Sequence, residues 1–291
     1  MHSSIFNPGE THLTLLFMKV FLAIFTLLLS LPAFGQKLYG EIKDENANPV
    51  PYVNIGIVDL DRGTISNQSG HYEIDISGLD DEEILRFSMI GFENTEFNIG
   101  KLKSQNSTSL NITLKEKPIE LKEIEVKATK GTPLILGVKK PGNFSWIWSD
   151  ANKGDEIGML FRVKNPFYLD KFSFHIKRNS CDSIYYRVKI YDEENELPIK
   201  IINQEDIRFL STLKKGWETV DMSAYNILIE SDFIISLETL DSCCSDGYTP
   251  SRLSIGSDFG LTYSRPSSMA PWLEIGNEMS FRIEGIEILD D

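Results

Sequence analysis

The sequence predicts an all-β protein built from two successive β-sandwiches, and three observations carry that prediction. From Leu38 onward apolar residues recur with a period of two. Clusters of Gly, Asn, Asp and Pro break the alternation at short intervals, and strong amphipathic helical stretches are absent from the second half. Short alternating runs separated by turn formers are the pattern of packed antiparallel sheets.

The N-terminus precedes this pattern. Met18-Lys19 is followed by an apolar run from Val20 to Leu31 and then by Pro32-Ala33-Phe34-Gly35. A basic start, a short apolar stretch and small residues at the positions a signal peptidase reads predict a signal peptide over residues 1–35, with cleavage before Gln36 and translation starting at Met1 or Met18. The competing reading is a retained anchor beginning near Leu13, although Lys19 interrupts it. The cleavage region has no cysteine for a lipid anchor. The expected destination is outside the cytoplasm: periplasmic, outer-membrane-associated or extracellular.

Residues 36–126 form the first predicted domain. Val53, Ile55 and Ile57 share one side of a strand while Asn54 and Gly56 share the other, and the same period recurs in Tyr72-Ile74-Ile76, Leu85-Phe87-Met89 and Leu110-Ile112-Leu114. Turns fall at Asp44–Pro49, Asp61–Gly63 and Asn67–Gly70. Residues 127–141, with Gly131, Pro133, Gly137 and Pro141, are the predicted linker.

Residues 142–291 form the second predicted domain, a jelly-roll-like sandwich. Phe172, Phe174 and Ile176 alternate with Ser173, His175 and Lys177; Tyr186, Val188 and Ile190 alternate with Arg187, Lys189 and Tyr191. The nearly continuous run Phe233–Leu237 suits a strand buried on both faces.

Charge narrows the function. A formal net charge of −14 argues against nucleic acid as a partner, since phosphate binding needs a basic surface; Lys139-Lys140 and Lys214-Lys215 are ordinary solvated loops. The three cysteines, Cys181, Cys243 and Cys244, all lie in the second half. In an exported protein Cys181 can pair with either of the other two; buried structural thiols are the alternative.

The first domain resembles the carboxypeptidase-regulatory-like family, a transthyretin-like β-sandwich. The resemblance rests on Gly40–Asp44, Pro49–Ile55, Gly63–Tyr72 and Leu85–Phe92 taken in order, and covers about residues 37–126. Gly63 and Gly70 sit where turns call for permissive dihedrals. In that family a segment similar to Leu121–Val126 often leads into the plug and barrel of an outer-membrane nutrient receptor. No plug or barrel follows here, so receptor function does not carry over, and neither does peptidase activity.

The residues give no catalytic set. Beyond residue 35 the histidines are His71 and His175, too few for a metallopeptidase zinc site. The Gly-x-Ser-x-Gly elbow and glycine-rich phosphate loops are absent. No cofactor or metal is predicted; Asp241–Gly247 offers oxygen ligands for calcium but not the calcium-loop spacing. The candidate ligand-binding residues are Trp146, Trp148, Trp217 and Trp272. Trp146 and Trp148 share a strand face, and flat aromatics on a sandwich can stack on sugar rings; core packing is the alternative. The expectation is a non-catalytic exported binding or interaction protein of the bacterial cell envelope, with a glycan or an envelope protein as partner. A glycan-acting hydrolase using carboxylates of the second domain, or a structural assembly protein, are the other readings.

Overall fold

The computed structural model describes residues 18–19, 36–105, 108–117, 131–148, 153–244, 251–254, 256 and 260–289. Apart from Met18-Lys19, the signal segment lies outside them, as does Leu121–Val126. No helix among the described residues is long and apolar enough to cross a membrane. The chain is all-β, as the alternation predicts.

Two sheets form the first sandwich. β1 (Lys37–Asp44) is flanked by β4 (His71–Asp75) and, in parallel, by β7 (Ile112–Leu114). The second sheet runs β3 (Gly63–Ile65), β2 (Asn54–Ile57), β5 (Ile84–Ser88), β6 (Thr95–Asn98). Side chains that alternate inward, among them Leu38, Ile42, Ile55, Ile74, Leu85, Phe87 and Leu114, make the core between them. Asp44 closes the first turn by accepting from the amides of Asn46 and Asn48 at 2.9 and 2.8 Å. One short helix, α1 (Ile99–Ser104), starts at Asn98, whose side chain accepts from the Lys101 amide and supplies the cap. It buries Ile99 and Leu102.

The second sandwich stacks two larger sheets. One runs β13 (Leu197–Ile201), β12 (Ser183–Glu194), β17 (Phe233–Cys243), β10 (Glu156–Phe161), β19 (Thr262–Arg265), β20 (Leu273–Glu274), with β14 (Ile207–Ser211) also on β12. The other runs β8 (Thr132–Gly137), β21 (Phe281–Glu287), β11 (Phe167–Arg178), β18 (Ser251–Ser254), β9 (Ser145–Trp148), with β15 (Gly216–Asp221) and β16 (Ile227–Ile229) also on β11. Phe172, Phe174 and Ile176 from one sheet meet Tyr186, Val188, Phe233 and Leu237 from the other. Residues 132–137, assigned to the linker by their Gly and Pro content, are instead strand β8, paired with β21 from Thr132↔Glu287 to Gly137↔Arg282. Pro133 is tolerated because β8 is an edge strand.

Cys181 and Cys244 form a disulfide, with sulfurs 2.08 Å apart and the two cysteines separated by 63 positions in sequence. It staples the end of the β12–β17 ladder, where Ser183 faces Cys243 and the Asp182 amide donates to the Cys243 carbonyl. Cys243 is exposed and unbridged.

Lys37–Asp291 form one compact unit, so the two sandwiches pack against each other. β2 is buried at all four positions. Ile55 and Ile57 face their own core, while Gly56 lies against Met269 of the second sandwich, 2.9 Å from where a Cβ would stand. Gly63 needs its lack of a side chain for the same reason. It is extended, in β3, and a Cβ there would come within 2.8 Å of the Ser267 Cβ, so close approach rather than turn geometry selects glycine. Gly70 does adopt the left-handed conformation, with φ of 77°.

Candidate functional site

Charged side chains gather on the outward face of the β13–β12–β17–β10–β19 sheet, where Tyr52 and Met89 of the first sandwich, and Ser268 and Trp272, lie against them. Alternation along β12 turns Arg187, Lys189 and Tyr191 away from the sandwich core, toward this junction. Arg187, 0% exposed, donates from Nη1 to Glu238 at 2.9 Å, from Nε to Asp206 at 2.5 Å and from Nη2 to the Tyr52 carbonyl at 2.8 Å. Lys189 donates to Glu238 at 2.8 Å and to Glu156 at 3.1 Å. Arg265 reaches Glu156 at 2.6 Å, and Tyr191 donates its hydroxyl to the same carboxylate at 2.7 Å.

Each charge in this cluster faces an opposite one, which is the condition for burying ions without a large penalty. Burial by itself would push the Glu156 carboxyl up. The charges of Arg265 and Lys189, with hydrogen bonds from Ser236 and Arg265, outweigh it and hold the group down at about 2. Burial opposes the charge on Arg187 as well, and Asp206 and Glu238 override it, raising its pKa. Burial pushes the Tyr191 phenol far up, so it stays protonated and donates.

Tyr52 anchors the first sandwich to this cluster. Its φ of 59° is left-handed, a conformation that costs a bulky residue about 1–3 kcal/mol. The contacts it makes offset that cost: its carbonyl holds Arg187, its ring lies 5.0 Å from that of Tyr185, and the Arg208 guanidinium sits 5.4 Å above it. Ile65 and Leu240 complete a small apolar core around it.

Trp146, Trp217 and Trp272 do not form a common surface. Trp146 pairs with Leu253, which pairs with Ile176, and all three lie on the inner side of their sheet; Trp146 packs half-buried against the main core. The side chain of Trp148 lies outside the described residues. Trp217 is on the opposite side of that sheet, edge-on to His175 at 5.4 Å with Arg282 over its ring at 4.6 Å. Trp272 belongs to the other sheet's outward face, beneath Arg265 at 4.2 Å and edge-on to Tyr191. Sequence spacing could not reveal this dispersal, because it depends on which strands pair.

His175, which alternates with the apolar face of β11, is part-buried, and its Nδ1 is 2.8 Å from Ser254 Oγ. Burial, then the charges of Lys215 and Lys177, lower its pKa. No group of three or more His, Cys, Asp or Glu side chains among the described residues is arranged to hold a metal. Asp241 of the calcium candidate instead pairs with Lys153 at 2.7 Å, and residues 245–247 of that loop lie outside the described residues.

An open groove of about 680 Å³ lies where the first sandwich meets Lys153 of the second. Its floor is a cross-strand array: Tyr39 opposite Glu73, and Glu41 opposite His71. Asn67 sets the start of β4 by accepting from the amides of Ser69 and His71 at 2.9 and 3.0 Å. Asn111 accepts from the Glu41 amide at 3.0 Å. Tyr39 is 44% exposed and is the aromatic that reasoning about tryptophan alone overlooks.

The fold and these sites define an all-β scaffold of two joined sandwiches. Residues 38–126 match the model of the CarboxypepD_reg-like domain family, so the first sandwich is a domain of that kind. No curated protein matches the chain. Among solved structures, the clostridial cysteine protease Cwp84 after propeptide cleavage aligns with a TM-score of 0.40 at 13% identity, over 53% of this chain and 40% of that one. The cysteine protease and lectin-like domains of Cwp84, a surface layer associated protein of Clostridium difficile, align with a TM-score of 0.35 at 13% identity, over 51% of this chain and 37% of that one. This chain thus spans well under half of either.

Proposed function

We propose that the chain is a non-catalytic, exported binding or interaction protein of the bacterial cell envelope. The two sandwiches act as one unit that presents its surfaces to a partner. The observation that carries this reading is the sealing of the ion cluster. Glu156 and Glu238, two carboxylates of the second sandwich gathered with Arg187, Lys189 and Arg265, are 1% and 0% exposed. Each is committed to holding the junction. A glycoside hydrolase needs a carboxylate pair that substrate and water can reach, and this pair is out of reach. The CarboxypepD_reg-like match supports a binding or regulatory role for the first sandwich. The signal-peptide pattern of residues 18–35 supports export.

The test joins fractionation to assay. Protein from the exported fraction should begin at Gln36 and give no turnover on panels of peptides, esters and glycosides. Retention of Val20–Leu31 in the protein, or reproducible turnover abolished by a single carboxylate-to-amide substitution, would contradict it.

A further inference from the structure

We propose that the junction groove is a saccharide-binding site, with Tyr39 as its stacking platform. This deepens the binding-protein reading and rests on it. A volume of about 680 Å³ lies within the roughly 300–1,000 Å³ of small-ligand sites. The position agrees too, since such sites favour places where domains meet.

The lining selects the chemistry. Its charges are already neutralised in pairs: Glu41 with Lys43 at 2.8 Å, Glu73 with Lys37 at 2.5 Å, and Lys153 with Asp241 at 2.7 Å. A charged ligand would have to displace one of those partners, whereas a neutral ligand leaves them in place. What remains on offer is an exposed phenol ring and hydrogen-bonding edges of both kinds. The Glu41 and Glu73 carboxylates accept, the Asn111 amide nitrogen donates, and the His71 ring can do either. Tyr39 and Glu73 are cross-strand neighbours, as are Glu41 and His71, so the ring and the polar groups address one ligand from one floor. An aromatic face beside convergent carboxylate and amide groups is complementary to a sugar ring, which is apolar on its C–H face and hydroxylated at its rim. Lys153 comes from the second sandwich, so the groove has its full lining only while the two sandwiches stay joined.

The probes are neutral hexasaccharides of the malto, cello, xylo, manno and chito series, titrated calorimetrically into the exported full chain. At least one should bind. Tyr39→Ala should weaken that binding at least ~10-fold with an unchanged melting temperature, because the ring is exposed. Tyr39→Phe, which keeps the stacking face, should stay within about 3-fold. Binding that survives Tyr39→Ala and His71→Ala but is lost in Trp217→Ala would overturn the groove while leaving the binding-protein reading intact. Binding of none of the five series would also overturn it. Cleavage of a bound hexasaccharide would instead overturn the non-catalytic reading, and the groove would stand if Tyr39→Ala abolished that cleavage.

Discussion

Strands β11 and β12 have the same sequence pattern and different surroundings. Each is twelve residues long and alternates large apolar side chains with polar ones. In both, the apolar set fills the space between the sheets. The polar set of β11 leads to an outward face where Ser173 is covered and His175 part-buried, but Lys171 is half exposed and pairs with Glu284 at 3.5 Å. The polar set of β12 leads to Arg187 and Lys189 at 0% and 1% exposure, locked into an ion cluster under a second sandwich. Alternation therefore identifies the face that turns toward the core. It does not say whether the other face meets water or protein.

The sharpest way to test this contrast is to remove charge from each strand. Arg187→Ala should destabilise the protein by about 3–5 kcal/mol, because it removes a fully buried guanidinium shared by Glu238, Asp206 and the Tyr52 carbonyl and leaves the buried Glu238 with Lys189 as its remaining cation. Lys171→Ala on β11 should cost no more than about 1 kcal/mol, as for an exposed pair. Denaturant titration of both variants measures the difference, and equal effects would erase the distinction between the two faces.

The disulfide is expected to act next in size. A bridge between cysteines 63 residues apart constrains the unfolded chain by about 4 kcal/mol in the loop-entropy model. The midpoint in denaturant should therefore drop on reduction, while Cys243→Ser should leave it nearly unchanged.

A smaller effect probes the fit between the sandwiches. Gly63→Ala forces a methyl against the Ser267 Cβ and the Ile55 carbonyl and should cost about 1–3 kcal/mol. A neutral result by thermal melting would mean that residues 266–272 are not held against β3.

The pH dependence follows from Glu156. Its folded pKa is depressed from 4.5 to about 2, so the stability it contributes is fully present above about pH 4.5 and is lost as pH falls toward 2. The melting temperature should fall through that window, and Glu156→Gln should flatten the fall while lowering stability at neutral pH.

Much of the fold was legible because burial in a sandwich leaves a period-two trace: Tyr72-Ile74-Ile76, Leu85-Phe87-Met89 and Phe172-Phe174-Ile176 all turn their alternating members inward. What stayed hidden depends on contacts distant in sequence. β8 carries the Gly and Pro of a linker yet completes a sheet edge against β21, more than 140 residues later. Gly63 looks like a turn residue until Ser267 is seen beside it. Trp146 and Trp217 look equivalent, and only the pairing of β9 with β18 and of β15 with β11 sends one to the core and the other to the outside. The groove was hidden for a related reason: Tyr39 and Glu73 are neighbours only because of the β1–β4 register.

Differential scanning calorimetry of the chain tests most directly whether the two sandwiches form one cooperative unit through their buried junction. Residues 37–291 should unfold in a single transition, with calorimetric and van't Hoff enthalpies equal, and Arg187→Ala should shift that whole transition downward. Two separable transitions in the wild-type protein, with only one of them moved by Arg187→Ala, would contradict it.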